Sequence, residues 1–411
     1  MKNYDLGIIG AGPAGYTAAF SARKSGKTVV MFEKDKVGGV CLNRGCIPTK
    51  TILHTAETYA DLACANDLGI LVENVKVDFT QIMAHKDIVV EKLRKNLELS
   101  IKNAKIDVVY AQASLKDKNT IEAEGETYIC KKVIVATGSS PRELPNLKFD
   151  HKFILSSDDV LSLTELPKSI AIIGSGAIGL EWARIFSSLG VEVTILEIAK
   201  NILPIADIEV SKRVERIFKM RKIKFYTETS VTSVQDGVLT LSNGEVLQPE
   251  KILLSVGRSV NVGERLEGVE YLGDVSGGIQ LAHTAIKEAI QTVEGVPFDE
   301  TLVPSVIYGT PEIAWVGKRE QDLDAGTFEK SFLLISALGK SHCDNATDGF
   351  IKLLIQDGLI VGAHIISKEA SSLIHQVLIA IQNKISTEKL KEICFAHPTY
   401  SEGIFTCLEH I

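Results

Sequence analysis

The segment IIGAGPAG, residues 8–15, decides the fold of this 411-residue chain, because it returns 164 residues later as IIGSGAIG, residues 172–179. Each copy reads as a buried strand, a glycine turn, a helix and a second strand that ends in an acidic residue. The match continues beyond the glycines at the same offset, in the pairs Gly26/Gly190, Val29/Val193 and Glu33/Glu197. The chain therefore contains two copies of one strand–turn–helix–strand unit.

The spacing within each copy predicts a dinucleotide site. An acidic residue follows the first glycine by 23 residues in both copies, Gly10 to Glu33 and Gly174 to Glu197. The first glycine allows a tight turn, the second lets the backbone approach a pyrophosphate, and the third lets the helix pack on the strand. The helix N-terminus stabilises the phosphate charge, and the acid accepts hydrogen bonds from ribose hydroxyls. Glycines that serve turn geometry alone are the alternative, which two complete copies disfavour.

Composition limits the class of protein. A chain of 411 residues exceeds the size of a single hydrophobic core, so two or three domains are expected. A net charge of -7 argues against nucleic acid or an anionic membrane surface as a partner, and no apolar run has the length of a membrane span. The pattern of a folded domain begins at Tyr4, which predicts no signal peptide. The seven cysteines are an odd number, which indicates a reducing compartment. We expect a cytoplasmic protein.

A pair of cysteines follows the first fingerprint in GGVCLNRGCIPTK, residues 38–50. If this segment is helical, the five-residue spacing of Cys41 and Cys46 brings both sulfurs to one side of the helix start, where they could form an easily reduced disulfide. A cation at Lys50 would favour thiolate over thiol. Zinc is disfavoured, because metal pairs are usually spaced C-x₂₋₄-C and no second pair exists here. We predict a redox-active pair and no metal site.

The chain resembles the pyridine nucleotide-disulfide oxidoreductases over residues 4–405. The resemblance lies in the CLNRGCIPTK segment, the two fingerprints and a C-terminal HPTYSE, residues 397–402. The likeness is greatest to members that oxidise dihydrolipoamide. The resemblance implies an α/β chain with two Rossmann-like domains and an α+β C-terminal domain. The implied division is an FAD-binding domain (1–145 and 271–300), an NAD-binding domain (146–270) and a dimerisation domain (301–411). In the last, alternating VPSVIYGTPEIAWVG and DGFIKLLIQDGLIVGAHII predict an antiparallel sheet.

The resemblance also assigns the cofactors, bound FAD to the first fingerprint and diffusible NAD to the second. No arginine follows Glu197, which favours NAD over NADP. Asp274, in YLGDVSGGIQLAH (271–283), is implied to bond the ribityl chain of the flavin, with an ordinary turn acid as the alternative. The expected FAD contacts are Gly10, Gly12, Pro13, Ala14, Gly15, Glu33, Lys34, Gly39, Lys50, Ala113, Thr137, Gly138, Ser139, Asp274, Ala282 and His283. The expected NAD contacts are Gly174, Gly176, Ile178, Gly179, Glu197, Val231 and Gly257.

FAHPTYSEGIF, residues 395–405, supplies a candidate acid–base pair. Thiol–disulfide chemistry needs a base that titrates near neutral pH, which favours His397, and a carboxylate such as Glu402 would fix its tautomer. A structural histidine is the alternative. The resemblance implies that this pair acts on the partner subunit, so that the protein is a homodimer with shared active sites. It further implies an ion pair of Lys50 with Glu181 beside the flavin.

These parts predict an activity. A dithiol, dihydrolipoamide on the lipoyl-carrying protein of a 2-oxoacid dehydrogenase or glycine cleavage system, would reduce the Cys41–Cys46 disulfide, and FAD would pass the electrons to NAD. Two alternatives stay open: another disulfide reductase, such as an NADPH-dependent glutathione-reductase type, and a flavin-bearing subunit with inert thiols. The single Cys407 disfavours a mercuric reductase. Only 12 residues separate Asn261 from Asp274, a shorter link than the family pattern, which leaves the edge of the NAD domain and the NAD affinity open.

Overall fold

The computed structural model of the chain describes residues 1–409 and has a mixed α/β fold, as predicted. The last two residues of the predicted dimerisation domain, 410 and 411, lie outside the described residues. Within residues 1–409, no helix combines the length and the apolar character needed to cross a membrane. Short 3-10 helices cover Ala65–Leu68, Asp159–Ser162, Gly273–Ser276, Glu300–Leu302, Glu320–Asp322 and Ile335–Ala337.

The first unit is built on a sheet in the order β3-β2-β1-β6-β5-β4. β3, β2, β1 and β6 pair in parallel, whereas β5 and β4 continue the sheet in antiparallel pairs. All of β2 and the last four residues of β1 are buried, as expected where helices cover a parallel sheet. The strands are β1 (Lys2–Ile9), β2 (Val29–Phe32), β3 (Asp107–Val109), β4 (Ala113–Asp117), β5 (Thr120–Ala123), β6 (Glu126–Val135) and β7 (Ser139–Pro141). The helices are α1 (Pro13–Lys24), α2 (Gly39–Arg44), α3 (Cys46–Leu62) and α4 (Phe79–Asn103).

The second unit repeats this plan with a parallel sheet in the order β11-β10-β9-β15-β8. Its glycine turn again connects a buried strand, β9, to a helix, α5. A small antiparallel sheet, β12-β13-β14, is attached to it. The elements are β8 (Ile154–Leu155), β9 (Ser169–Ile173), α5 (Ala177–Ser188), β10 (Glu192–Leu196), α6 (Ile208–Met220), β11 (Lys224–Tyr226), β12 (Val231–Gln235), β13 (Val238–Leu241), β14 (Val246–Leu247), β15 (Lys251–Leu254) and β16 (Arg258–Val260).

The chain crosses between these two units twice. β7 and β16 form an antiparallel two-stranded sheet at the crossing. The short link after Asn261 still ends in a strand, β17 (Glu270–Tyr271), which pairs in parallel with β6 of the first sheet. Within the link, Arg265 donates to the carbonyl oxygens of Val275 and Ser276 at 2.8 and 2.9 Å. The chain therefore returns to the first unit despite the short link, and α7 (Ala282–Glu294) packs beside α1.

The third unit is an antiparallel sheet, β18-β19-β22-β21-β20, as expected for this region. α9 packs on its strands β19 and β22. Its strands are β18 (Ser305–Ile307), β19 (Glu312–Gly317), β20 (Glu329–Leu334), β21 (Phe350–Gln356) and β22 (Leu359–Ser367). Its helices are α8 (Gly339–Cys343), α9 (Ala370–Gln382), α10 (Thr387–Lys391) and α11 (Glu402–Glu409).

The expected apolar–polar alternation is wrong for β21, in which every residue from 350 to 355 is buried. Ile351, Leu353 and Ile355 pack in the core of the third unit. Phe350, by contrast, belongs to a large cluster that joins the second unit to helices of the first and strands of the third. Lys352 is fully buried, because its ammonium lies 2.7 Å from the Asp207 carboxylate at the start of α6. The sheet is thus covered on both faces, which the sequence pattern alone does not reveal.

Candidate active site

The third glycine of each fingerprint stands where helix and strand touch. A Cβ added at Gly15 would lie 1.9 Å from the carbonyl oxygen of Gly10. A Cβ added at Gly179 would lie 2.1 Å from that of Gly174. α1 and α5 both begin within three residues of the second glycine, so their free N–H groups point toward the turn. Both turns are therefore shaped for a pyrophosphate.

The two fingerprint acids hold the turns in the same way. Glu33 accepts from the Ala11 N–H at 2.9 Å through Oε2 and from the Asp35 N–H at 2.9 Å through Oε1. Glu197 accepts from the Ser175 N–H at 2.9 Å and, in addition, from the Ser175 hydroxyl at 2.6 Å. A carboxylate offers about four lone-pair sites, so each acid keeps acceptor capacity for ribose hydroxyls.

The cysteine-containing segment packs against the first glycine turn, whereas the space beside the second glycine turn is open. The Gly38 N–H donates to the Ala11 carbonyl oxygen at 2.8 Å, and a Cβ on Gly39 would approach Gly12 Cα to 2.7 Å. At Gly176, the matching glycine of the second turn, an added Cβ would meet nothing within 4 Å. The first site is thus enclosed by the segment that carries the cysteines.

Asp274 joins the first site through Ser139. The Ser139 hydroxyl donates to Asp274 Oδ2 at 2.5 Å. Arg258 donates to Ser139 twice, from Nε to the hydroxyl oxygen and from Nη2 to the carbonyl oxygen, both at 2.7 Å. Sequence reasoning did not nominate Arg258, although it directly follows Gly257. This residue connects the end of the second unit to the first nucleotide site.

The other predicted cofactor residues stand at element ends, in turns and in loops, and their contacts with a cofactor stay predictions. Thr137 donates to the Asn261 carbonyl oxygen at 2.6 Å, and Gly138 faces open space. His283 Nε2 lies 2.9 Å from the Pro304 carbonyl oxygen. Four of these residues lie at helix starts: Pro13 and Ala14 in α1, Ile178 in α5 and Ala282 in α7. Ala113 and Val231 are buried and begin β4 and β12. Lys34 is exposed, and Gly257 precedes β16. The enclosed glycine cradle with Glu33 and Asp274 at its rim fits FAD.

The cysteines stand on two helices, which corrects the expectation of one helical segment. Cys41 lies in α2, Cys46 is the first residue of α3, and Gly45 separates them with a φ of −146° and a ψ of −107°. A Cβ at Gly45 would lie 3.1 Å from the Val40 carbonyl oxygen, so this glycine relieves crowding against the backbone of α2. Both cysteines are free thiols in the structure, and their disulfide stays a prediction.

The two thiols differ in acidity. A hydrogen bond from the Cys41 thiol and the charge of Lys50 lower the pKa of Cys46 to about 7, against its burial. The same hydrogen bond and burial raise the pKa of Cys41. The position of Cys46 at the N-terminus of α3 also favours its thiolate. In the reduced pair, these contacts favour the thiolate on Cys46 over that on Cys41.

Lys50 and Glu181 form an ion pair between α3 and α5. The ammonium lies 2.8 and 2.7 Å from the two carboxylate oxygens. Tyr308, which sequence reasoning missed, contacts both partners: its N–H donates to Glu181 at 3.2 Å, and its ring centroid lies 4.8 Å from the Lys50 ammonium. No local sequence signal identifies Tyr308, since it comes from the third unit.

His397 and Glu402 form the second polar pair. His397 Nδ1 lies 2.7 Å from Glu402 Oε1, while Oε2 accepts from the Thr399 N–H at 2.7 Å. The Thr399 N–H and His397 lower the pKa of Glu402, which keeps it ionised. The His397 side chain is 77% exposed, and no hydrogen bond joins it to Cys41 or Cys46 within residues 1–409. The imidazole is therefore largely open to solvent on its own chain.

This chain belongs to the pyridine nucleotide-disulphide oxidoreductase family. The profile of that family matches residues 4–271, and the profile of its dimerisation domain matches residues 303–407. The chain is therefore a flavin disulfide oxidoreductase, a class that uses FAD and NAD(H), and its dimerisation domain supports a homodimer.

Named relatives narrow the comparison. The chain is 34% identical to the dihydrolipoyl dehydrogenase of Bacillus subtilis, covering 98% of this chain and 96% of the relative. It is 36% identical to the leghemoglobin reductase of Vigna unguiculata, over 97% of this chain and 86% of the relative. LpdA from Mycobacterium tuberculosis shares the fold, with a TM-score of 0.90 at 24% identity over 100% of this chain and 99% of that one. An HOCl-induced flavoprotein disulfide reductase from Escherichia coli also shares it, with a TM-score of 0.89 at 23% identity and full coverage of both chains.

Proposed function

We propose that this chain is an NAD-linked dihydrolipoyl dehydrogenase that oxidises protein-bound dihydrolipoamide. The observation that carries the proposal is the Cys41 and Cys46 pair beside the Lys50–Glu181 ion pair, in a chain about as similar to dihydrolipoyl dehydrogenases as to any relative named above. The absence of an arginine in Ile198–Ala199–Lys200 supports NAD over NADP. The lipoyl-carrying partner and a cytoplasmic location are parts of the same proposal.

The proposed exchange begins at Cys41. A substrate thiolate attacks the Cys41 sulfur, forms a mixed disulfide with it and breaks the Cys41–Cys46 bond, which releases Cys46 as a thiolate. The second substrate thiol then attacks the substrate sulfur of the mixed disulfide. This step closes the product disulfide and leaves Cys41 as a thiol. Lys50 stabilises the Cys46 thiolate throughout.

His397 of the partner subunit would accept the proton that the first substrate thiol loses. The proton of the second substrate thiol would pass to the departing Cys41 sulfur, which leaves Cys41 as a thiol. Glu402 supports the role of His397, because a carboxylate on Nδ1 orients the ring and stabilises its protonated form. Bound FAD would take the electron pair from the dithiol pair and deliver it as hydride to NAD. The residues that would hold FAD are those of the enclosed first site, with Glu33 and Asp274 at its rim.

A two-substrate assay tests the proposal. We expect the purified protein to reduce NAD with dihydrolipoamide and to show little activity with glutathione disulfide and NADPH. A Cys46→Ser variant, which retains the first nucleotide site, serves as the matched control and should be inactive with dihydrolipoamide. Preference for glutathione disulfide and NADPH would favour the alternative reductase. Bound flavin without any disulfide turnover would indicate inert thiols.

A further inference from the structure

Arg184 on α5 is fully buried and has no place in the chemistry described so far. Burial lowers the pKa of its guanidinium to about 10, so it stays charged at neutral pH. Only Nη1 makes a hydrogen bond, to the Pro311 carbonyl oxygen at 2.5 Å, and Nε and Nη2 have no partner among residues 1–409. A buried charge with unmet donors costs stability, which calls for a reason why an arginine stands there.

The arginine lies one helical turn from Glu181 on the same helix. On the facing helix, α3, Lys50 and Glu57 are separated by two turns. The charge of Arg184 opposes the rise that burial causes in the pKa of Glu57. The α3–α5 contact thus carries two charged pairs, Lys50 with Glu181 and Glu57 near Arg184.

Both pairs are covered by the turn of residues 308–311, which joins β18 to β19 in the third unit. At one end of this turn, Tyr308 contacts Lys50 and Glu181. At the other end, the Pro311 carbonyl accepts from Arg184, and the Thr310 carbonyl accepts from Arg221 at 2.6 Å. The guanidinium also lies 5.2 Å from the ring centroid of Phe218, within the range of a cation–π contact.

Gly309, in the middle of the turn, is shaped around Arg184. Its φ is +143°, and an added Cβ would lie 1.9 Å from Arg184 Nη1. Arg184 therefore fills the space under the turn as well as bonding its end. Removal of the side chain would free Gly309 to relax, and Tyr308 would shift with it.

We propose that Arg184 is a positioning residue, which holds the 308–311 turn so that Tyr308 keeps the Lys50–Glu181 pair aligned. Through this turn the third unit sets the geometry of the flavin site from outside it. The proposal rests on the assignment of Lys50 and Glu181 to the flavin site made above.

The test compares Arg184→Met with two reference variants of the holoenzyme. Glu181→Gln perturbs the ion pair directly. Arg213→Met removes another ion pair between the second and third units, that of Arg213 with Asp348, without touching the turn. Each variant is measured for melting temperature, the visible absorption spectrum of bound flavin and the rate of flavin reduction by NADH under anaerobic conditions.

We expect Arg184→Met to change the flavin spectrum in the direction of Glu181→Gln and to slow flavin reduction roughly ten- to a hundredfold, the scale of a misplaced positioning group. Arg213→Met should lower the melting temperature only. Arg184→Lys should fall between wild type and Arg184→Met, because lysine keeps the charge and loses the planar fork.

The reference variants keep the outcomes distinct. If Glu181→Gln leaves the flavin unchanged, the assignment of the ion pair to the flavin site is wrong, and the proposal falls with it. If Glu181→Gln changes the flavin and a folded Arg184→Met does not, the positioning role alone is overturned. Should Arg184→Met fail to fold, Arg221→Met decides: an altered flavin spectrum supports the proposal, and a wild-type spectrum with a wild-type rate overturns it.

Discussion

The two nucleotide sites start from the same glycine turn and differ in the segment that follows the second strand. In the first copy this segment is residues 38–50, which encloses the turn at Gly12 and carries Cys41 and Cys46. In the second copy the corresponding residues are 202–214, in which Asp207 caps α6 and binds Lys352 of the third unit. One segment packs against a glycine turn, and the other forms an ion pair with the third unit.

We expect the packed first site to keep its nucleotide bound and the open second site to exchange its nucleotide. The fingerprint supplies the pyrophosphate turn and the acid in both sites, so it does not decide how long a ligand stays. Enclosure by Gly39 and the Arg258–Ser139–Asp274 chain is found only at the first site within residues 1–409. The open turn at Gly176 suits a nucleotide that binds and leaves in each cycle.

The largest effect should come from the cysteine segment. Cys46→Ser should lower dihydrolipoamide–NAD turnover at least about 10⁴-fold, as expected for loss of a residue that carries the chemistry. FAD content should be unchanged, because the cradle consists of other residues. Flavin absorbance per chain and steady-state turnover check both parts. Loss of FAD together with activity would show that the segment serves structure rather than chemistry.

His397→Ala should have the second largest effect and lower turnover by about two to four orders of magnitude, the range for a positioned acid–base group. Flavin reduction by NADH should persist. Because the His397 side chain is exposed on its own chain, heterodimers of Cys46→Ser with His397→Ala should regain activity through one intact shared site. Verified heterodimers that stay inactive would rule out the shared arrangement.

Glu33 and Glu197 occupy matching positions in the two sites, so their substitution should affect different nucleotides. Glu33→Ala should lower FAD content, whereas Glu197→Ala should keep FAD and raise the KM for NAD by roughly ten- to a hundredfold, the value of a lost hydrogen bond to a charged group. The wild-type preference for NADH over NADPH should narrow in Glu197→Ala only. Equal use of both coenzymes by the wild type would contradict the role of Glu197.

The smallest effect concerns pH. The Cys41 hydrogen bond and Lys50 lower the pKa of Cys46 to about 7, so the thiolate forms as pH rises through that value. The long-wavelength charge-transfer band of the two-electron-reduced protein should grow over the same range. Lys50→Met removes the cation, raises the Cys46 pKa and should move the midpoint up by about one pH unit or more. A midpoint that does not move would show that Lys50 has no influence on the thiolate.

Local patterns predicted much of the fold and of the site. The two fingerprints predicted the parallel pairs β1–β2 and β9–β10 and the helix after each first strand. His397 with Glu402 is a contact across five residues that sequence spacing alone could suggest. Arg258 and Tyr308 were missed, because each acts on a site in another unit through domain packing. Lys352 lies in β21, for which the sequence pattern predicts alternating apolar and polar residues. Its burial depends on Asp207, 145 residues earlier in the chain.

The most direct test of a resident FAD and an exchanging NAD is to measure which nucleotide stays bound to the purified protein. The measurement is the FAD and NAD content of wild-type protein after gel filtration in nucleotide-free buffer, with each nucleotide identified after heat release. We predict about one FAD per chain and no retained NAD. Protein that loses FAD during gel filtration, or that retains NAD as firmly as FAD, would contradict the account.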